Sequence, residues 1–263
     1  MAGKTIAIQN VEKKFETRTG VVQALSKVSL NIEASSFVSV VGPSGCGKST
    51  LMNLLAGLDQ PTGGTIEMDG STMNGPQSGN AVVFQKDLLL EWRTVQGNIL
   101  LPYELENRLN RKQLAEQKRK TNELLGMVGL DGFGDKYPFE LSGGMKQRVS
   151  ICRALIQNPS LLMMDEPFGA LDALTREQMM YDLLKIYTKY KCTIIFITHS
   201  IEEAVFLSDR VIVMSPRPGS ILKDISIQLE RPRSMETRTH PKFFEHVREI
   251  REVFQSQGIL TEV

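Results

Sequence analysis

Nine consecutive residues, Gly42-Pro43-Ser44-Gly45-Cys46-Gly47-Lys48-Ser49-Thr50, carry the densest chemical information in the chain. Glycines at 42, 45 and 47 let successive backbone N–H groups converge on an anion that side chains would otherwise hold off. Lys48 adds a point charge suited to the β- and γ-phosphates of a nucleotide, and the Ser49 hydroxyl is placed to bind Mg²⁺. Further along, the apolar run Leu161-Leu162-Met163-Met164 ends in Asp165-Glu166. Asp165 is then a candidate for holding Mg²⁺, directly or through water, and Glu166 for polarising an attacking water. Between these strings lies Leu141-Ser142-Gly143-Gly144-Met145-Lys146-Gln147-Arg148, whose two glycines leave unencumbered amides at the start of a helix. Read alone, it is either an anion-binding turn or a glycine-flanked cap.

The elements that must position these groups follow from hydrophobic periodicity. Phe37 to Val41 is an apolar run, broken only by Ser39 and ending at Gly42, which predicts a strand buried on both faces, and Leu51, Leu54 and Leu55 predict a helix just after the loop. Val28, Leu30 and Ile32 alternate with polar residues, as does Thr65 to Met68 before the hairpin signal Asp69-Gly70, so the first third reads as antiparallel hairpins around one central strand. From Asn107 to Val128 the pattern predicts a charged helix. Its Arg108, Arg111, Lys112, Lys118, Arg119 and Lys120 are interleaved with Glu116 and Glu123 and lack aromatics, which suits a solvated face better than a nucleic-acid patch. The last third alternates: strands at Leu161–Met164 and Thr193–Ile197 flank a helix presenting Met180, Leu183, Leu184, Tyr187 and Tyr190. That rhythm predicts a parallel sheet with helices on its faces. Ser200 and Glu203 read as a capping box, Ser215-Pro216-Arg217-Pro218-Gly219 as a turn, and Ile221, Ile225, Ile227 and Leu229 as a peripheral strand. Pro241 opens a helix with Phe243, Val247, Ile250 and Phe254 on one face, expected to pack on its own core, with docking to a partner as the other option.

Composition narrows the class. Across 263 residues, Lys plus Arg number 31 and Asp plus Glu 30, so the net charge is 31 − 30 = +1, which argues against a chain that coats nucleic acid or an acidic membrane. Cys46, Cys152 and Cys192 show no paired spacing, favouring a reducing compartment over a disulfide framework or a zinc site. No apolar run approaches the ~18–20 residues that cross a bilayer, and Met1-Ala2-Gly3-Lys4-Thr5 lacks a signal-peptide core. The expectation is a soluble cytoplasmic chain that reaches a membrane only through a partner.

Taken together, the phosphate loop, the Leu-Ser-Gly-Gly string and the Asp-Glu strand end resemble the ATP-binding cassette ATPases over essentially the whole chain. The resemblance implies an α/β P-loop NTPase fold: a mostly parallel RecA-like core, an antiparallel β-subdomain and an inserted helical subdomain. On this reading residues 1–263 form one domain, with 4–85 and 158–230 as nucleotide-binding core, 86–157 as the helical, signature-bearing part and 231–263 as a C-terminal helical tail. It also implies ATP and Mg²⁺ as ligands and a head-to-tail homodimer, in which Ser142, Gly143 and Gly144 of one copy face the γ-phosphate held by the other. By motif match, Gln85, after the strand Ala81–Phe84, takes the place of the glutamine that reaches metal and water. Asp172 in Ala170-Leu171-Asp172 belongs to the loop crossing the dimer seam. His199 is the switch histidine at the γ-phosphate, and Phe15 is the aromatic on adenine, where Tyr is usual.

A narrower resemblance points to the nitrate/sulfonate/taurine importer ATPases. It rests on Trp92-Arg93-Thr94, Tyr137-Pro138-Phe139-Glu140, Asp165 through Arg176, Leu207-Ser208-Asp209-Arg210-Val211, the Ser215–Gly219 turn and the tail from Arg231 to Pro241. It implies membrane permease partners, an extracytoplasmic solute-binding protein acting indirectly, no nucleic acid, and a place on the cytoplasmic face of the inner membrane. Departures from the family pattern occur at Lys146, Ser200, Lys86 and Glu91. The competing reading is a soluble ATPase of the same family acting on nucleic acid or ribosomes. Cys46 lies near Lys48 and a helix N-terminus, conditions that lower a thiol pKa, although a small residue simply tolerated in the loop is the favoured reading over a redox role. Alkylation there should block activity, with ATP protecting.

Overall fold

The computed structural model describes residues 3–18, 20–106 and 110–259. The chain opens with a long hairpin, β1 (Ile6–Thr17) and β2 (Gly20–Ile32), paired antiparallel with Ile8 opposite Leu30. Next come β3 (Phe37–Val41), the phosphate-loop segment and α1 (Lys48–Leu55). A second hairpin joins β4 (Gly63–Met68) to β5 (Ser71–Thr72) through Asp69 and Gly70, both at positive φ (49° and 74°), as the Asp-Gly signal predicts. Then follow β6 (Asn80–Val83) and three helices, α2 (Val95–Leu105), α3 (Arg111–Met127) and α4 (Gly143–Leu155). The final third is β7 (Leu161–Asp165), α5 (Ala173–Tyr190), β8 (Thr193–Ile197), α6 (Ile201–Leu207), β9 (Arg210–Met214) and β10 (Ile221–Ser226). Helices α7 (Met235–Thr239) and α8 (Pro241–Ser256) close it.

Two sheets form among the described residues. One is antiparallel in the order β2-β1-β4-β5; the other runs β10-β9-β3-β8-β7-β6, parallel throughout except where β10 lies antiparallel on β9. Strand alternation then sorts the core. Val38 and Val40, Leu161 and Met163, Ile195 and Ile197, and Ile212 and Met214 face α1 and the small sheet. Phe37 and Val41, Leu162 and Met164, Ile194 and Phe196, and Val211 and Val213 face the other helices. Both faces of the central strands are thereby covered, so β3, β7 and β8 are apolar on both faces apart from Ser39, Thr193 and the terminal Asp165. Helix α1 is held between the two sheets by Leu51, Met52, Leu54 and Leu55, which fixes the loop at its N-terminus.

Three local expectations change. The helix expected from Asn107 begins at Arg111, because Asn110 caps it: its side chain accepts from the Gln113 N–H (3.0 Å) and Gln113 Oε1 accepts from the Asn110 N–H (2.9 Å). Residues 107–109 lie outside the described residues, as does the side chain of Arg111. The Ser200–Glu203 box is only half made. Ser200 Oγ accepts from the Glu203 N–H (3.3 Å), but the buried Glu203 carboxylate turns inward to accept from Thr198 Oγ1 at 2.6 Å. The third change, at Cys46, belongs to the site. The C-terminal helix does pack on its own core, with Phe243, Val247, Ile250 and Phe254 buried.

Candidate active site

Four adjacent strands, β3, β8, β7 and β6, run parallel and therefore end on one edge of the sheet. Each delivers a residue of interest there: the loop 42–47 after β3, His199 after β8, Asp165 at the end of β7 with Glu166 beyond it, and Gln85 after β6. Carboxyl ends of parallel strands are where such sheets bind ligands, because the following loops open outward while the strands stay packed.

The loop is shaped by glycine. Gly47 caps α1 at φ 103°, and a Cβ there would lie 2.8 Å from Leu25 Cδ2 and 2.9 Å from the Ala24 carbonyl. The turn therefore packs directly on β2. Lys48 is buried at 6% exposure, and its ammonium donates to the carbonyls of Gly42 (2.8 Å) and Pro43 (3.0 Å). Ser44, Gly45, Ser49, Thr50 and Glu166 join Lys48 in lining a cavity of about 240 Å³ above the loop.

Cys46 corrects its expectation. Its side chain points away from the cavity into the core between the sheets, 1% exposed, with Sγ 3.8 Å from Lys48 Nζ. Burial pushes the thiol pKa up despite the nearby ammonium, so the helix N-terminus does not make it a reactive thiolate. N-ethylmaleimide should label Cys46 in the native chain at least ~10²-fold more slowly than in urea, since reaction requires local opening. Native labelling as fast as in urea would show the thiol to be accessible. Cys46 itself does not line the cavity.

The carboxylate pair sits opposite. Asp165 Oδ1 is buried with no hydrogen-bond partner, while the Ser49 hydroxyl lies near enough to the same carboxylate to favour its charged form. Burial pushes the Asp165 pKa upward, partly offset by Ser49 and Lys48. An orphaned acceptor between a hydroxyl and an incoming phosphate chain fits a hard divalent cation such as Mg²⁺. Glu166 adopts φ 45°, a left-handed conformation costing on the order of 1–3 kcal/mol, and is pinned there by its N–H on the Ile197 carbonyl (2.9 Å). Its Oε2 lies 3.5 Å from His199 Nδ1. Gln85 is exposed, its Nε2 close to Gly169 just beyond Glu166.

Other expected residues lie elsewhere. Phe15, 38% exposed under Lys13 Nζ (5.0 Å from the ring), does not line the cavity but pairs with Val22, two residues before the cavity-lining Ala24. Ser142 caps α4 through Met145 N–H (3.3 Å), and Asp172 caps α5 through Thr175 N–H (3.0 Å). Gly143 is exposed beside Ser142, and Gly144 packs on Thr175. None of these four residues lines the cavity. Sequence reasoning missed Ala24 and Arg217, which do. The only available signal for Arg217 was a cation between two prolines. Two departures from the family pattern meet in space: Lys146 Nζ lies 3.4 Å from Glu91 Oε1, tying α4 to the segment after Gln85. Ser150 Oγ and Arg153 on the same helix grip the Asp87 carbonyl (2.6 and 2.7 Å).

A parallel sheet with a glycine-rich loop leading into a helix, and an Asp-Glu strand end one strand removed, defines a P-loop nucleoside triphosphatase. Comparison with known proteins narrows this. The family described as ABC transporter matches residues 25–169. The aliphatic sulfonates import ATP-binding protein SsuB of Bacillus cereus is 42% identical over 256 residues, covering 97% of this chain and 98% of that one. The taurine import ATP-binding protein TauB of Rhizobium johnstonii is 46% identical, covering 92% and 93%. The nitrate import ATP-binding protein NrtD of Synechocystis is 43% identical, covering 93% of each chain. A solved dimer of the ATP-binding cassette MJ0796, in a post-hydrolysis state bound to ADP and phosphate, superposes with TM-score 0.73 at 31% identity, covering 85% of this chain and 99% of that one. This chain belongs to the ABC transporter family, as an ATP-binding and ATP-hydrolysing cassette. Among the described residues, no helix is long and apolar enough to cross a membrane.

Proposed function

We propose that the chain is the ATPase subunit of an importer for a small oxyanionic or sulfonated solute: nitrate, an alkanesulfonate or taurine. It acts as a head-to-tail homodimer beneath two permease subunits, peripheral on the cytoplasmic face of the inner membrane, with an extracytoplasmic binding protein delivering the solute. One observation carries the two-copy reading: Ser142, Gly143 and Asp172 are exposed yet lie outside the lining of the chain's own cavity. Groups so placed are available to the nucleotide of a second copy. The import reading is supported by relatives named for sulfonate, taurine and nitrate import at 42–46% identity.

In this reading residues 4–85 and 158–230 form the nucleotide-binding core, 86–157 carry the signature and 231–263 are the C-terminal helical tail. Phe15 stacks on adenine. Backbone N–H groups of residues 44–49 and the Lys48 ammonium hold the β- and γ-phosphates, and Thr50 lies at the same helix start. Ser49, Asp165 and Gln85 hold Mg²⁺, which when bound neutralises phosphate charge. Glu166 accepts a proton from the attacking water as its oxygen approaches the γ-phosphorus. His199, within reach of Glu166, hydrogen-bonds the γ-phosphate, and Ser142, Gly143 and Gly144 of the second copy close the other side. Dimer closure on ATP and reopening after hydrolysis would then move the permease subunits.

Co-expression with candidate permease subunits tests this. The chain should copurify with the permease from detergent-solubilised membranes, and its ATPase rate in proteoliposomes should rise with the solute-loaded binding protein. Recovery only in soluble fractions with RNA or ribosomes would contradict the import reading.

A further inference from the structure

The turn joining β9 to β10 is built against the phosphate loop. Within the turn, the Ser215 N–H donates to the Ser220 carbonyl and the Ser220 N–H returns to Ser215 Oγ, both at 2.9 Å, with Pro216 and Pro218 stiffening the crest. From outside, the Gly219 N–H donates to the Ala24 carbonyl (2.8 Å) and the Ser26 N–H to the Gly219 carbonyl (2.9 Å). Contact with the loop is so close that a Cβ at Gly219 would fall 2.0 Å from the Cys46 carbonyl oxygen. The crest is therefore a fixed arm over the loop.

Between the two prolines the arm carries Arg217. Its Nε donates to the Gly45 carbonyl at 3.2 Å, and its side chain lines the same cavity as Ser44, Lys48, Ser49 and Glu166. Among the described residues no carboxylate pairs with it, and its two Nη groups make no hydrogen bond to protein. Bracing one carbonyl needs only a neutral donor. A guanidinium with two unused nitrogens on the wall of a phosphate-binding cavity has the fork geometry that phosphate oxygens match. Because the arm is already ordered, little conformational entropy is lost when such contacts form.

We propose that Arg217 is a nucleotide-binding residue, its Nη groups donating to phosphate oxygens of ATP as a second cation beside Lys48. This rests on the reading of the cavity as the ATP site, and the experiment separates the two. Calorimetric titration of the full chain with ATP in EDTA removes Mg²⁺ from the comparison. Arg217→Gln, which keeps a neutral donor for the Gly45 carbonyl, should weaken ATP binding roughly tenfold, while Arg217→Lys keeps most of the affinity. The Arg217→Gln affinity should also depend less on salt than that of the wild type. Wild-type affinity in Arg217→Gln overturns the assignment, including when Arg217→Ala alone is impaired, since that pattern describes a brace. Lys48→Ala is the control. If it loses ATP while Arg217→Gln retains it, only the Arg217 assignment falls; if it binds ATP normally, the cavity is not the ATP site and both readings fall.

Discussion

Glu166→Gln is expected to lower ATP turnover by roughly 10²-fold or more while leaving ATP binding intact. The expectation follows from what the substitution changes. Glutamine has nearly the same shape, and the backbone constraint, an N–H bonded to the Ile197 carbonyl at 2.9 Å, does not involve the side chain. The Lys48 contacts and the loop geometry are likewise untouched. What disappears is the capacity to take a proton from water at a position 3.5 Å from His199 Nδ1. Nucleotide should then accumulate uncleaved, and ATP-dependent dimers should persist on size exclusion. Steady-state hydrolysis at the wild-type rate would remove Glu166 from the role of base.

Gly143→Val should be comparably damaging, and the isolated fold gives no reason for it. A Cβ at Gly143 meets nothing within 4 Å, and its φ is not in the left-handed region. Within one chain the first side-chain carbon added there therefore meets no neighbour, unlike Gly144, where a Cβ would lie 2.6 Å from Thr175 Cγ2. The expected result is a thermal midpoint within about 2 °C of wild type, unchanged ATP affinity, and turnover reduced by about 10²-fold or more. Such a pattern places the space that glycine reserves in the assembly. Wild-type turnover in Gly143→Val would mean that no nucleotide approaches this surface.

Much of the site is legible in the sequence because its parts are locally encoded. A strand ending in Gly42, a loop and a helix opening at Lys48 are contiguous, so their spacing alone carries the phosphate cradle. Asp165 and Glu166 are likewise marked by the apolar run before them. Parallel topology then brings the strand ends together, as the alternating pattern of the last third predicts. What escapes is whatever depends on which strand lies beside which. Arg217 reaches Gly45 only because β9 pairs with β3, a relation between segments far apart in the chain. Lys146 and Glu91 look like two unrelated departures until α4 packs across the segment after β6. The direction of the Cys46 side chain is set by the packed layer beneath the loop, so proximity to Lys48 in sequence misjudges its thiol. Glu203 shows the same effect: local capping logic meets a buried Thr198 hydroxyl, and the tertiary partner wins.

The central claim is that each ATP is held between two chains, the phosphate loop of one and the Ser142-Gly143-Gly144 turn of the other. The most direct measurement mixes Lys48→Ala protomers with Gly143→Val protomers, each inactive alone, and follows phosphate release. In the mixed dimer one site joins the intact loop of one variant to the intact signature of the other, so activity should return, up to about a quarter of wild type for random pairing. A mixture as inactive as its components, or a wild-type chain that hydrolyses ATP at full rate when mass photometry shows only monomers, would contradict the account.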